Sequence, residues 1–144
     1  MKNFVTGICR WANFLLYNEV NNVTDRLSDR FALLAAIDPT SLTTEEITNL
    51  FGEGTSYVYN SLPFSYAFFL RNPHSIETLY EVGNAGGDTD TNASNASIVG
   101  GLLGALNGAS IFPQHLIDGL WQKDRILATA NKFYETFFIE KESN

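Results

Sequence analysis

Hydrophobic residues recur every three or four positions along much of this chain, which is the period of an amphipathic helix. Three stretches show it most clearly: Phe4, Ile8, Trp11 and Leu15; Leu27, Phe31 and Leu34; and Ile126, Ala130, Phe133 and Phe137. Stripes of this kind usually face a core, so we expect these side chains to be buried. The closest approach to an alternating strand, TSYVYNS, is short. The pattern therefore predicts an all-α fold of seven or eight helices.

Local signals mark where several of these helices begin. Thr43 is followed three residues later by Glu46, the spacing of a capping box. Ser75 precedes IETLYEV and is a suitable N-cap. Asp124 is expected to cap the last helix, and Pro113 stands in the first turn of PQHLIDGLW, where its missing N–H costs nothing.

One predicted helix, IVGGLLGALNG, is unusually rich in glycine. Gly100, Gly104 and Gly108 are four residues apart and would share one face. Each interior glycine costs about 1 kcal/mol relative to alanine. We therefore expect this face to pack closely against another part of the backbone.

Composition and charge narrow the class of protein. The 144 residues suit a single domain spanning residues 1–144. The net charge of −7 and the absence of a basic patch argue against nucleic-acid binding. The longest apolar run is too short to cross a membrane, and Arg10 interrupts the N-terminal apolar residues. With the lone Cys9 unable to form an intramolecular disulfide, we expect a cytoplasmic protein that binds neither membrane nor nucleic acid.

The segment GGDTDT carries the clearest candidate chemistry. Asp88 and Asp90 are two residues apart, and Thr91 adds a hydroxyl oxygen. Such hard oxygen ligands suit Mg²⁺, Mn²⁺ or Ca²⁺. An alternative is a plain helix start, in which Asp90 or Thr91 caps the helix and Asp88 adds favourable charge. Spacing alone leaves both interpretations open.

GGDTDT followed by the small-residue helix IVGGLLGALNGASIFP closely resembles the C-terminal metal-binding motif of the ADP-ribosylglycohydrolase family. The resemblance extends from about Tyr57 to Leu120. It implies a compact, orthogonal all-α bundle of which this chain is the C-terminal portion. It also implies a site for two Mg²⁺ ions, with Mn²⁺ as a substitute. By position in the motif, Asp88, Asp90 and Thr91 would be metal ligands.

The activity that the resemblance implies is hydrolysis of the glycosidic bond between ADP-ribose and an acceptor. The substrate would be an ADP-ribosylated protein or a small molecule containing ADP-ribose. In the family, further metal ligands come from a Thr-Asp-Asp segment near the start of the domain, where the catalytic acid or base also lies. This chain contains no Asp-Asp pair, and its catalytic residues are not identified.

The chain alone is therefore expected to be incomplete. It would be a truncated product, one piece of a split enzyme with an N-terminal complementing chain, or a decayed relative. Apolar surface left uncovered by absent helices would favour self-association. Two other functions stay open: a non-catalytic relative used for binding or structure, as in the crystallins of this family, and a helical adaptor whose acidic loop only caps a helix.

A tandem triplet, NASNAS, separates GGDTDT from the glycine helix. It comprises Asn92–Ser94 and Asn95–Ser97, and the family motif is three residues shorter at this point. Three added residues rotate a helix by about 300°. Either the extra triplet forms a loop before the helix, or the site is distorted.

Overall fold

The computed structural model describes residues 26–52 and 55–139. They fall into two compact units, of which the first ends at Ile111 and the second begins at Phe112. A single domain over residues 1–144 stays a prediction. The expectations for the Phe4–Leu15 stripe and for Cys9 lie outside the described residues.

The part of the chain that the structure describes contains seven α-helices and no strand, so the all-α prediction is confirmed. In the first unit these are α1 (Leu27–Ala36), α2 (Thr44–Phe51), α3 (Val58–Arg71), α4 (Glu77–Gly83) and α5 (Thr89–Asn107). In the second they are α6 (Gln114–Asp118) and α7 (Lys123–Tyr134), followed by a π-helical turn at Glu135–Ile139. Short 3-10 turns occupy Pro39–Ser41 and Ala109–Ile111. Over these described ranges, no helix has the length and apolar character needed to cross a membrane.

The predicted capping box is present at the start of α2. The backbone N–H of Glu46 donates to Thr43 Oγ1 over 3.2 Å, and the N–H of Thr43 donates to Glu46 Oε2 over 2.8 Å. At α4, Ser75 Oγ accepts from the N–H of Glu77 over 3.2 Å, so this serine does satisfy a donor at the helix start. Both signals are local in sequence, which is why the sequence alone could reveal them.

The expected cap of the last helix is wrong. Helix α7 begins at Lys123, after Gln122 in a left-handed conformation with φ 54°. Asp124 therefore lies inside the first turn, two residues beyond the N-cap Gln122. Pro113 immediately precedes the short helix α6, close to the expected place.

Helix α3 is the centre of the first unit, where α1, α2, α4 and α5 all pack against it. Its side chains Phe64, Ala67 and Phe68 are fully buried, and the rings of Phe64 and Phe68 meet edge to face at 4.9 Å. The other core side chains are apolar and come from every helix of this unit: Phe31, Leu34, Ile47, Phe51, Leu70, Val82, Val99 and Leu103. The burial of Phe31 and Leu34 confirms these two positions of the core face predicted for α1, whereas Leu27 is only half-buried.

Helices α3 and α5 advance in the same direction. The Oγ of Ser65 in α3 lies 3.1 Å from Asn95 Oδ1 in α5, and Asn107 Nδ2 at the end of α5 donates to the carbonyl of Pro73 just beyond α3 over 2.8 Å. Later residues of one helix therefore meet later residues of the other. The N-terminal ends of both helices consequently lie at one end of the unit.

Helix α4 runs antiparallel to α5 along a face of small residues. A Cβ placed on Gly100 would lie 3.5 Å from Leu79 Cδ1, and one on Gly83 would lie 4.0 Å from Ala96 Cβ. Gly100 therefore faces α4, but its neighbour is the side chain of Leu79 at an ordinary contact distance and not the backbone that we expected. Gly108 does not share it, because it ends α5 in a left-handed conformation (φ 76°) with open space around its Cβ position.

In the second unit, the apolar stripe of α7 is exposed. Ile126, Phe133 and Phe137 retain 48%, 58% and 51% of their surface, so the burial expected for this stripe is not found. The helix itself forms as predicted. Within this unit, Lys123 Nζ at the start of α7 lies 2.6 Å from Asp118 Oδ1 at the end of α6.

Candidate metal centre

The GGDTDT segment lies at the turn between α4 and α5. Gly86 and Gly87 adopt φ values of 93° and 81°, in the left-handed region that side chains disfavour. These two glycines reverse the chain after α4 and leave Asp88 at the N-cap position of α5. The sequence therefore uses glycine here to bring an acidic residue to the beginning of a helix.

Thr91 and Asp88 are in direct contact across the first turn of α5. Thr91 Oγ1 donates to Asp88 Oδ2 over 2.7 Å. Thr91 is buried, whereas Asp88 and Asp90 are exposed. An aspartate at the N-cap usually accepts from a backbone N–H of the first turn, but Asp88 makes no such capping bond. Its carboxylate is exposed and interacts with Thr91 and with Asp90.

Hydrogen bonding favours the ionised form of Asp88. The bond from the Thr91 hydroxyl is the largest cause that holds the pKa of Asp88 below its ordinary value of 3.8, and an interaction with the Asp90 side chain is the second. The positive end of the helix dipole acts in the same direction. Asp88 is therefore a carboxylate at neutral pH, which is the state that a hard cation requires.

The tandem triplet lies inside the helix. Helix α5 begins at Thr89 and continues to Asn107, so the option in which the triplet forms a loop before the helix is wrong. Asn92 and Asn95 retain only 3% and 1% of their surface. Both asparagines therefore belong to the buried face of α5.

These two buried asparagines have different partners. Asn92 Nδ2 donates to the carbonyl of Gly86 in the turn, while Asn95 Oδ1 lies near Ser65 Oγ of α3. Sequence reasoning missed both contacts, of which only that of Asn92 reaches the turn of the candidate site. The repeat did indicate that the two asparagines share a helix face, because residues three apart lie on the same side of a helix.

The donor chemistry fits Mg²⁺, but the number of donors is small. Asp88, Asp90 and Thr91 offer two carboxylates and a hydroxyl, the oxygen ligands that this ion prefers. Within residues 26–52 and 55–139, no three Asp, Glu, His or Cys side chains cluster in a way that could hold a metal ion. The assignment of Asp88, Asp90 and Thr91 as metal ligands therefore stays a prediction.

Comparison with known proteins supports the resemblance seen in the motif. The sequence model of the ADP-ribosylglycohydrolase family matches residues 3–142. The chain belongs to the ADP-ribosylglycohydrolase family. This match extends on both sides of the segment from Tyr57 to Leu120 that carries the motif resemblance. No curated protein and no solved structure shows significant similarity to the chain.

Proposed function

We propose that this chain supplies one side of the catalytic centre of a Mg²⁺-dependent ADP-ribosylglycohydrolase and needs a second side for turnover. One observation carries the proposal. The GGDTDT segment of a family member folds into a helix start where Asp88 and Asp90 are exposed and Thr91 orients Asp88. Hydrolysis of ADP-ribose linkages is the activity that gives the family its name.

In this proposal Asp88, Asp90 and Thr91 would hold Mg²⁺. When bound, Mg²⁺ would supply positive charge that binds ribose hydroxyls and lowers the pKa of water. The hydrogen bond within the site is compatible with this role. A hydroxyl has one proton and two lone pairs, so Thr91 can donate to Asp88 and still offer lone-pair density to a cation.

The reaction breaks the bond between the anomeric carbon of the ribose and the acceptor atom. Water supplies both new groups, since its hydroxyl joins the anomeric carbon and its proton goes to the acceptor. Asp88 is kept ionised by Thr91, so it contributes negative charge and orientation to the site. The proton transfers need a general acid or base, for which the described residues offer no assigned candidate.

A ligand count over the described residues supports the need for a second side. Mg²⁺ prefers six oxygen ligands and usually keeps several waters. Three side chains from one helix turn are too few to hold two ions. We therefore expect a complementing chain with a Thr-Asp-Asp segment, or a second copy, to take part. The substrate would be an ADP-ribosylated protein or a small molecule containing ADP-ribose, encountered in the cytoplasm.

A second candidate is a family relative without catalytic activity, used for binding or structure. The hydrogen bond between Thr91 and Asp88 favours it, because that bond completes a stable helix start without any ligand. The two candidates differ in one measurable property. Only the first requires the Asp90 carboxylate as a metal ligand.

Release of ADP-ribose from an ADP-ribosylated protein tests the proposal. The chain would be assayed alone and mixed with an N-terminal family fragment that carries a Thr-Asp-Asp segment, each with and without Mg²⁺. We expect release only from the mixture with Mg²⁺, and loss of that release in Asp90→Asn. No release from the mixture would favour the non-catalytic relative. Robust Mg²⁺-dependent release by the chain alone would contradict the requirement for a second side.

A further inference from the structure

We infer that Asn92 is a positioning residue that fixes the Gly86–Asp88 turn and thereby sets the place of the Asp88 carboxylate. Its effect on metal binding rests on the proposed function above, whereas its effect on the turn does not. The inference starts from the contacts of one buried side chain. Asn92 retains 3% of its surface, although it lies in the second turn of α5 close to exposed Asp88.

Asn92 contacts the turn at two points. Its side-chain Nδ2 donates to the carbonyl of Gly86, and its backbone N–H donates to the carbonyl of Asp88 over 2.9 Å. The two bonds therefore join Asn92 to the first and the last residue of the Gly86–Asp88 turn. The other polar atom of this amide, Asn92 Oδ1, is buried without a hydrogen-bond partner. The bond to Gly86 is what the side chain contributes.

The turn needs such a contact because little else holds it. Gly86 adopts φ 93°, and no atom outside its chain neighbours lies within 4 Å of its Cβ position. Glycine has the widest choice of backbone conformations, so an unpacked Gly86 loses much entropy when it is fixed. A side-chain hydrogen bond from the rigid helix would select one conformation of Gly86 and Gly87.

Asn95 is a natural control for Asn92. It is the corresponding residue of the second triplet, it retains 1% of its surface, and it belongs to the same helix face. Its oxygen lies 3.1 Å from Ser65 Oγ of α3, so it bonds to a helix and not to the turn. The same substitution at both positions therefore separates loss of a buried amide from loss of the contact with the turn.

The first test measures backbone order in the metal-free chain by ¹⁵N relaxation. Leucine matches asparagine in shape and can occupy the buried position, while Asn92→Ala serves if Asn92→Leu does not fold. A rigid amide has an order parameter of about 0.85 and a flexible one below about 0.6. We expect Gly87 and Asp88 to fall from the rigid toward the flexible range in Asn92→Leu. They should stay unchanged in Asn95→Leu.

The second test measures Mn²⁺ affinity of the same chains by paramagnetic relaxation. Removal of a residue that orients a metal ligand typically lowers affinity 10- to 100-fold, so we expect a loss of at least about tenfold in Asn92→Leu and little loss in Asn95→Leu. An ordered turn in Asn92→Leu, or unchanged Mn²⁺ affinity despite a loosened turn, would overturn the inference. Wild-type protein that binds no Mn²⁺ would refute the proposed function, and the order parameters would then still decide the role of Asn92.

Discussion

Helices α5 and α7 differ in a way that their sequences do not suggest. Helix α7 has the clearer apolar stripe, yet all of its residues from Asp124 onward are exposed. Helix α5 has the weaker pattern, being rich in Gly, Ala, Ser and Asn, yet Val99 and Leu103 on it are fully buried. The buried helix, α5, is thus the one whose faces differ less in hydrophobicity.

The difference shows what fixes burial in the first unit. Helix α5 lies against α3 on one side and α4 on another, and small residues such as Ala96 and Gly100 let α4 approach closely. Helix α7 also carries large apolar side chains, but among the described residues of its own unit only the short helix α6 and the π-helical turn at Glu135–Ile139 accompany it. Periodicity therefore predicts a helix, while burial depends on the neighbouring elements.

The largest expected effect comes from deletion of Asn95–Ser97. The deletion moves Val99 and Leu103 into the places now held by Ala96 and Gly100, against α4. Overpacking costs about 1–3 kcal/mol at each site, and the contact with Ser65 is also lost. The sum, about 2–6 kcal/mol, is comparable with the whole stability of about 5–15 kcal/mol of a typical domain. Urea denaturation should show a large loss or no cooperative transition.

This deletion also tests the placement of the triplet within α5. A loop outside the helix could be removed at little cost, because surface loops tolerate changes of length. Unchanged stability with unchanged or tighter Mn²⁺ binding would therefore contradict the helical triplet and the packing of α4 on α5.

A leucine-to-alanine substitution in each helix compares the contributions of α5 and α7 to stability. Leu103→Ala in α5 removes a fully buried side chain and should cost about 2–5 kcal/mol. Leu127 in α7 retains 46% of its surface, so Leu127→Ala should change stability by no more than about 0.5 kcal/mol. The midpoints of chemical denaturation measure both. A cost for Leu127→Ala close to that of Leu103→Ala would mean that the α7 stripe is covered in solution.

Adjacent glycines in α5 provide a finer test. Gly100 faces Leu79, so Gly100→Leu should overpack the contact with α4 and cost about 1–3 kcal/mol. Gly101 has open space around its Cβ position, so Gly101→Leu should be neutral or stabilise by up to about 1 kcal/mol through helix propensity. Thermal denaturation compares the two variants. Equal effects would show that the α4 interface is not close-packed.

Much of the local structure could be predicted from the sequence because it depends on nearby residues. The capping box of Thr43 and Glu46 and the helical period of α1 are examples. The resemblance of GGDTDT to a family motif led to the family, which the match over residues 3–142 confirms. The place of Asp88 at a helix start also follows from local glycine and aspartate preferences.

The remainder depends on contacts between distant residues. The role of Asn95 requires Ser65, thirty positions earlier, which no periodicity reveals. Phe133 retains 58% of its surface because the described residues of its unit cover it only in part. The expected cap at Asp124 was wrong because the chain enters α7 through the left-handed residue Gln122, a conformation that the sequence does not favour.

A smaller effect is expected from loss of the Thr91 hydroxyl. Thr91→Val should raise the pKa of Asp88 toward 3.8, because the largest cause of its lowering is removed. Since the folded-state pKa is below the unfolded one, the stabilisation is present at neutral pH and is lost as pH falls below 3.8 through the folded pKa. Carboxyl ¹³C titration by NMR measures the shift. Exposed Thr89→Val is the control and should leave the pKa of Asp88 unchanged.

The central claim, that Asp88, Asp90 and Thr91 form one side of a metal centre, is tested most directly by Mn²⁺ titration of the assigned ¹⁵N-labelled chain. We predict weak binding, with paramagnetic broadening centred on the amides of Gly87 to Thr91. The double variant Asp88→Asn/Asp90→Asn should lose it while keeping the wild-type spectrum elsewhere. Broadening centred on another part of the chain, or equal broadening in the double variant, would contradict the claim.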